Sequence, residues 1–285
     1  MHGIINVYKP CGISSNYVLT NLKRNLNIKK LGHLGTLDPL ACGVLPVMVN
    51  KGTKLFDYYL SKKKVYRAIF CFGKETDTLD SEGKVIKTCK KIPTEEELKI
   101  ALKQLVGKIS QIPPNFSAKN INGTRAYELA RSGKSFEIKP KEVVVENFEL
   151  ICKINESSFL FNIVCEGGTY IRSLARDLGK LTNSCAFMSA LIRVESGKFD
   201  ILNSTYYKSL TNTNFSDKIT ELDTLLKDYQ KLILDDNLLF KVSNGVKVKV
   251  EHENANNLVV YCQNKLIGIG SVCANLLSIK TNLQV

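Results

Sequence analysis

The chain has 285 residues, 44% of them hydrophobic and 24% charged, a composition that excludes a disordered or collagen-like chain and permits a full core. Its formal charge is +13, from 40 Lys and Arg against 27 Asp and Glu, and most of the excess lies in residues 1 to 224. That excess suits a polyanionic partner, although richness in Lys, Asn and Ile supplies a compositional explanation for part of it.

Gly3 to Tyr8 reads as a short strand stopped by Lys9-Pro10. Ser14 or Ser15 then caps a helix with Val18, Leu19, Leu22 and Leu26 on one face. The stretch Gly32 to Pro46 follows, with three glycines and two prolines, and is expected to be neither plain helix nor plain strand. Lys54 to Leu60 reads as a short helix and Val65 to Phe72 as a strand. Thr76 to Asp80 reads as a polar hairpin loop. Thr94 and Glu97 form a capping-box pattern, opening a helix that carries Leu98, Leu102 and Leu105. A helix is expected from about Arg125 to Arg131. Strands follow at Val143–Ile154 and Phe159–Cys165, then a helix after Thr169 that stops at Gly179. The last part holds short β patterns at Gly245–Val250, Leu258–Cys262 and Leu266–Val272. Strands and helices without a regular βαβ repeat predict an α+β fold with a mixed, mainly antiparallel sheet. The boundary to a small β-rich module is expected near Thr211 to Asp217 or just after it.

Nine scattered cysteines lack any Cys-x-x-Cys, and with three histidines they offer no zinc spacing. Reduced thiols in the cytoplasm are the expectation. The first residues are too short and polar a run for a signal peptide, and no apolar run is long enough to span a membrane.

Asp38 is the one acid in the stiff stretch, and nothing else between His33 and Lys51 ionises except Cys42 at high pH. Pro39 pushes Asp38 away from helical angles. A carboxylate on such a mount suggests a functional site. The plain alternative is an Asp-Pro turn capping a short helix at Leu40. Three further stretches stand out. Lys64-Val65-Tyr66 opens a strand, and Tyr66 alone reads as a packed core ring. Gln111 to Lys119, followed by Tyr127 to Gly133, mixes aromatic and basic groups able to stack on bases and meet phosphates, or forms a loop and an amphipathic helix. Gly167-Gly168-Thr169-Tyr170-Ile171-Arg172 leads into a helix, with Tyr170 and Arg172 two apart.

The order and wording of these stretches resemble the bacterial tRNA pseudouridine synthase B family. The resemblance runs from Lys9-Pro10-x-Gly-x-Ser-Ser through the Gly-His-x-Gly-x-Leu-Asp-Pro-x-Ala-x-Gly-Val-Leu-Pro loop. It continues through Lys64-x-Tyr66, Thr76-Asp77-Thr78-x-Asp80, Gln111-Ile112-Pro113, Ser117-Ala118 and Gly168-Thr169-Tyr170-Ile171-Arg172. It ends at Leu191-Ile192-Arg193 and Ser196-Gly197-Lys198-Phe199.

The resemblance implies the pseudouridine synthase fold over residues 1 to 215 and a shortened RNA-binding module of the PUA type over residues 225 to 285. It implies isomerisation of the uridine at position 55 in the tRNA T-loop. Asp38 would be the essential catalytic aspartate, paired with Arg172. Tyr66 would lie against the target base and take part in proton transfer, and Tyr170 would line the pocket. His33 would hold the rearranged T-loop, Lys9 and Pro10 would belong to the pocket floor, and Leu191 would sit near the carboxylate. Tyr127 and Arg131 would lie on the RNA side. Cys42 stands where the family usually has Thr. No redox change occurs in the reaction, so no nicotinamide, flavin or metal is needed or signalled. The expected partner is the T-arm of tRNA, with no membrane and no obligatory protein partner, for a stand-alone cytoplasmic monomer. The other reading carried forward is a tRNA-binding folding helper whose isomerase activity is secondary or lost; the presence of Asp38, Tyr66 and Arg172 speaks against loss.

Overall fold

The computed structural model describes residues 1–60, 62–117, 119–121, 123–133 and 136–284. Ala118, half of the Ser117-Ala118 pair, lies outside them. The chain opens with β1 (Gly3–Lys9), whose alternation sends Ile5 and Val7 to one core and Ile4 to another. Helix α1 (Ser15–Asn25) follows; the Ser14 hydroxyl caps it by accepting from the Tyr17 N–H. Then come β2 (Leu31–His33), β3 (Cys42–Val49), α2 (Phe56–Leu60) and β4 (Lys64–Phe72). A hairpin of β5 (Lys74–Thr76) and β6 (Val85–Thr88) leads to α3 (Glu95–Leu102), which has the full Thr94–Glu97 capping box. After β7 (Gly107–Gln111), the short pair β8 (Asn120–Ile121) and β9 (Thr124–Arg125) precedes α4 (Ala126–Arg131). Long strands β10 (Lys141–Lys153) and β11 (Ser158–Cys165) precede α5 (Ile171–Leu181) and β12 (Ala186–Ser196). Short strands β13 (Phe199–Asp200), β14 (Thr205–Tyr206) and β15 (Ile219–Glu221) then run into α6 (Leu222–Leu225). The last segment is β16 (Lys231–Leu234), α7 (Leu239–Ser243), β17 (Val248–Lys249), β18 (Ala255–Cys262), β19 (Lys265–Cys273) and β20 (Leu276–Asn282).

Among the described residues, eleven strands form the main sheet, with β14-β1-β3-β12-β4-β11-β10-β7 in line. Its pairings are antiparallel except β1–β14 and β3–β12, so the sheet is mixed and mainly antiparallel, as expected. Apolar faces of α1, α3 and α5 cover one side around Phe70, Phe148 and Phe161. A second sheet, β16-β18-β19-β20-β17, packs Val259, Ile269 and Leu283 into a core shared with Ile4, Val44 and Met48 of the first sheet. The main sheet takes in Ile219–Glu221 through β15 beside β1, and the second begins only at Lys231.

The two halves of the main sheet meet where β3 runs parallel to β12, and that seam has only two register pairs, Cys42 with Ile192 and Gly43 with Arg193. Gly43 has φ +106, and a Cβ there would overlap the Arg193 carbonyl. The seam therefore requires glycine at this position.

Four features depart from the expectations. The second half of the stiff stretch, from Cys42 through Pro46, is strand. Pro46 is tolerated because its carbonyl accepts from the Leu34 N–H on the loop side, the side its own nitrogen also faces, and needs no ladder donor there. Gly179 does not end α5 but lies inside it, where a Cβ would sit 2.8 Å from the Ala186 nitrogen; it serves the close packing of helix against strand. The run Ala186–Ser196, not assigned from its periodicity, is the central strand β12, and burial on both faces blurs its alternation. Finally, Cys89 and Cys185 are joined as a disulfide, against the expectation of uniformly reduced thiols. The backbone brings them together, because Gly73 accepts from Cys89 and donates to Cys185.

Replacing Gly43 by Ala is expected to lower stability by about 2 kcal/mol or more, from left-handed strain plus overlap at the seam. Urea unfolding of the two proteins measures this.

Candidate active site

The loop 34–41 carries Asp38 and is fixed by groups from three elements. The Ser15 hydroxyl of α1 both donates to the Leu37 carbonyl and accepts from the Leu37 N–H, each at 2.9 Å. The Gly12 N–H donates to the Pro39 carbonyl at 2.8 Å. Lys9, at the end of β1 and fully buried, donates to the Ala41 carbonyl at 2.6 Å and to that of Pro10 at 2.9 Å. Arg193 of β12 donates to the carbonyls of Val44 at 2.7 Å and Gly35 at 3.1 Å. Asp38 and Ala41 do form a turn, through a bond from the Ala41 N–H to the Asp38 carbonyl at 3.1 Å, but no helix follows. The turn of the plain alternative is present without its helix, and it presents the carboxylate.

That carboxylate faces Arg172, in the first turn of α5. The Arg172 Nε lies 2.9 Å from Oδ2 and Nη2 3.1 Å from Oδ1, a two-pronged pairing. The other side of the guanidinium meets Asp80: Nη1 lies 3.3 Å from the Asp80 Oδ2 and donates to the Thr78 carbonyl at 2.9 Å. Nη2 also donates to the Phe116 carbonyl at 3.0 Å. Every nitrogen of Arg172 has an acceptor. Asp80 is held in turn by the Thr78 hydroxyl at 2.6 Å and the Glu82 N–H at 3.1 Å. The hairpin loop that carries it is buried at Thr76 and Asp80, and Leu79 within it has φ 62.

The Asp38 side chain stays 31% exposed while Arg172 is 6% exposed, so the pair opens toward solvent on the carboxylate's side. Burial is the main influence on Asp38 and raises its pKa; Arg172 opposes the rise and the Asp80 charge adds to it. Tyr66, on β4, and Tyr170, at the N-cap of α5, both lie close enough for the Asp38 charge to act on their hydroxyls. Burial raises the pKa of both phenols. Buried Gln111 fixes Tyr170 by accepting from its N–H at 2.8 Å and donating to its carbonyl at 3.1 Å. Leu191 of β12 joins Leu37, Ala41 and Tyr66 in the apolar core under the loop.

His33 ends β2, and burial, followed by the Arg193 charge, pushes its pKa down, so its imidazole is neutral near pH 7. Burial brings the Lys9 ammonium down to about 8. Cys42 begins β3 half-buried; burial raises its thiol pKa and hydrogen bonding with Tyr8 opposes the rise. Tyr127 and Arg131 lie apart from this cluster on α4, with the guanidinium 5.8 Å from the ring centre. Their helix is tied to the centre through the preceding loop, since the Tyr127 N–H donates to the Ser117 carbonyl and the adjacent Phe116 carbonyl holds Arg172.

The structure thus brings Asp38, Arg172, Tyr66, Tyr170 and Lys9 together. Sequence reasoning passed over Asp80, Ser15, Gln111 and Arg193 as parts of the site. A signal existed for Asp80, the run Thr76-Asp77-Thr78-x-Asp80 within the resemblance, but locally it reads as an ordinary loop.

Residues 23–171 match the model of the TruB family pseudouridylate synthase N-terminal domain. The chain is 40% identical over 276 residues to a tRNA pseudouridine synthase B of Clostridium novyi, covering 95% of each chain. It is 36% identical over 283 residues to one of Aquifex aeolicus, covering 98% of this chain and 99% of the other. Its fold is similar to a chain in an H/ACA ribonucleoprotein bound to a substrate RNA containing 2′-deoxyuridine, with TM-score 0.72 and 21% identity, over 99% of this chain and 85% of that one. It is also similar to a chain of a Cbf5-Nop10-Gar1 complex, with TM-score 0.69 and 24% identity, over 98% and 79% of the two chains. With its matched domain and near full-length relatives, the chain belongs to the TruB family of pseudouridylate synthases.

Proposed function

We propose that this pseudouridine synthase acts on tRNA and isomerises uridine 55 of the T-loop, with Asp38 as the essential carboxylate. The observation that carries the reading is the two-pronged pairing of Asp38 with a buried Arg172 beside an open face. The near full-length relatives named tRNA pseudouridine synthase B support tRNA as the substrate.

The reaction breaks the N1–C1′ bond, turns the uracil and rejoins it through C5. Positive charge develops at C1′ as the first bond breaks, and an oriented carboxylate opposite it lowers that barrier. Arg172 orients the Asp38 oxygens and works against the burial that favours the protonated acid. The uridine has to leave its stack, at a cost of a few kcal/mol. Stacking on the Tyr66 ring offsets about 1–3 kcal/mol of that. Tyr66 accepts the proton released from C5. Tyr170 and Leu191 line the base pocket, Lys9 and Pro10 support its floor, and His33, neutral and partly buried, packs against the opened T-loop. Tyr127 and Arg131 meet RNA from α4.

Residues 1–215 form the catalytic domain, and residues 225–285 a shortened RNA-binding module of the PUA type, supported by the separate five-stranded sheet. The enzyme works as a stand-alone monomer in the cytoplasm. Among the described residues no helix is long and apolar enough to cross a membrane.

Asp38→Asn is expected to lower isomerisation of a T-loop stem-loop by roughly 10⁴-fold or more while RNA binding persists; an active variant overturns the role of Asp38. Mapping pseudouridine in a strain lacking the protein is expected to show loss at position 55 of tRNAs, and loss confined to other RNAs overturns the substrate. The carboxylate is the working form, so the rate falls as pH drops through the raised Asp38 pKa, above the ordinary 3.8. Asp80 contributes to that rise, so Asp80→Asn is expected to move the acid limb of the pH–rate profile to lower pH. Its maximal rate also drops, because Arg172 loses an anchor.

A further inference from the structure

Arg193 is among the largest fully buried side chains of the described residues, and among them it forms no ion pair. Its neighbours make the cost greater. The ammonium groups of Lys9 and Lys64 both lie within its electrostatic reach, and burial brings Lys64 down to about 8. Burying an unpaired cation is costly, and an apolar side chain of similar volume avoids that cost. Binding the carbonyls of Gly35 in the loop and Val44 in β3 occupies only Nε and Nη2. The Nη1 group remains.

Arg193 stands directly opposite Tyr66 in the β12–β4 ladder, and both side chains are buried. Side chains directly opposed in an antiparallel ladder share one face, so the guanidinium neighbours the Tyr66 ring and its charge acts on the Tyr66 hydroxyl. The groups acting on that hydroxyl are Arg193, Cys165 and Asp38. Of these, only Arg193 carries positive charge.

We propose that Arg193 is a positioning residue for the isomerisation, fixing the Tyr66 oxygen as a proton acceptor aimed at C5 of the turned uracil. The inference rests on the reading of the site as a pseudouridine synthase centre. Once the C5–C1′ bond has formed, the C5–H bond breaks. Its electron pair restores the C5=C6 double bond, and the proton passes to the Tyr66 phenolate. The resulting phenol returns a proton to water before the next turnover. Burial opposes formation of the phenolate, and the adjacent Arg193 charge favours it. The carbonyls of Gly35 and Val44 lock the guanidinium, so the cation does not have to reorganise as charge moves.

The test compares wild type with Arg193→Met and Arg193→Lys in single-turnover reactions on full-length tRNA, using uridine carrying hydrogen or deuterium at C5. Thermal unfolding and tRNA binding are followed alongside. Arg193→Met is expected to slow the reaction about 10- to 100-fold, with tRNA affinity unchanged. Its deuterium effect should exceed that of wild type, because loss of the C5 proton becomes the slow step. Arg193→Lys, which keeps the charge, should recover part of both changes, and it supplies the measurement if the Met variant does not fold. A slower reaction with no larger isotope effect assigns Arg193 to scaffolding alone and overturns the proposal, as does an unchanged rate. Wild type that forms no pseudouridine overturns the underlying reading instead.

Discussion

The guanidinium of Arg172 has to serve two carboxylates and two carbonyls at once, and the rest of the centre is arranged to let it. A planar cation with donors in fixed directions accepts few geometries. Asp38 therefore has to arrive from one side and Asp80 from the other, at 2.9 Å and 3.3 Å respectively. Ser15, Gly12, Lys9 and Arg193 hold the first loop to meet that demand, and the Thr78 hydroxyl and Glu82 N–H hold the second. Gln111 fixes the residue at the start of the helix bearing Arg172. Each of these groups removes one way for the pair to drift.

The seam between the two halves of the sheet explains why the centre lies where it does. Most strands are satisfied by long antiparallel ladders, but β3 and β12 share only two register pairs. Beyond them the strands part, and the loop fills the gap. Carbonyls left without strand partners there are taken by the cations of Lys9 and Arg193. Backbone groups that a longer ladder would satisfy thus become the reason for buried positive charge behind the Asp38 loop. Of the two cations, Lys9 acts on Asp38 and, with Arg172, opposes the desolvation that favours the protonated acid.

Much of this was legible in the sequence because local rules govern it. Ser14 and the Thr94–Glu97 pair announce helix starts, and the aromatic alternation of β4 announces a strand. Asp38 was conspicuous because glycines and prolines isolate it. Its pairing with Arg172 was not local at all, and only the wording of the family's motifs pointed to it. Asp80 escaped notice because a short acidic loop looks the same whether it faces water or a buried guanidinium. β12 escaped because a strand covered on both faces loses its alternation. Gly179 misled because glycine at a helix end and glycine under a close-packed strand look alike in one dimension.

The two carboxylates and the guanidinium come from distant parts of the chain, with Asp38 and Arg172 separated by 134 positions. The loop of Asp38 is locked only when Arg193, later still, has taken its place in the sheet. A chain still emerging from the ribosome therefore carries all the residues of its first loop long before it has a working centre. Until the central strand closes the sheet, the loop of Asp38 lacks its contact with Arg193, and the Asp38–Arg172 pair lacks part of what holds it in place.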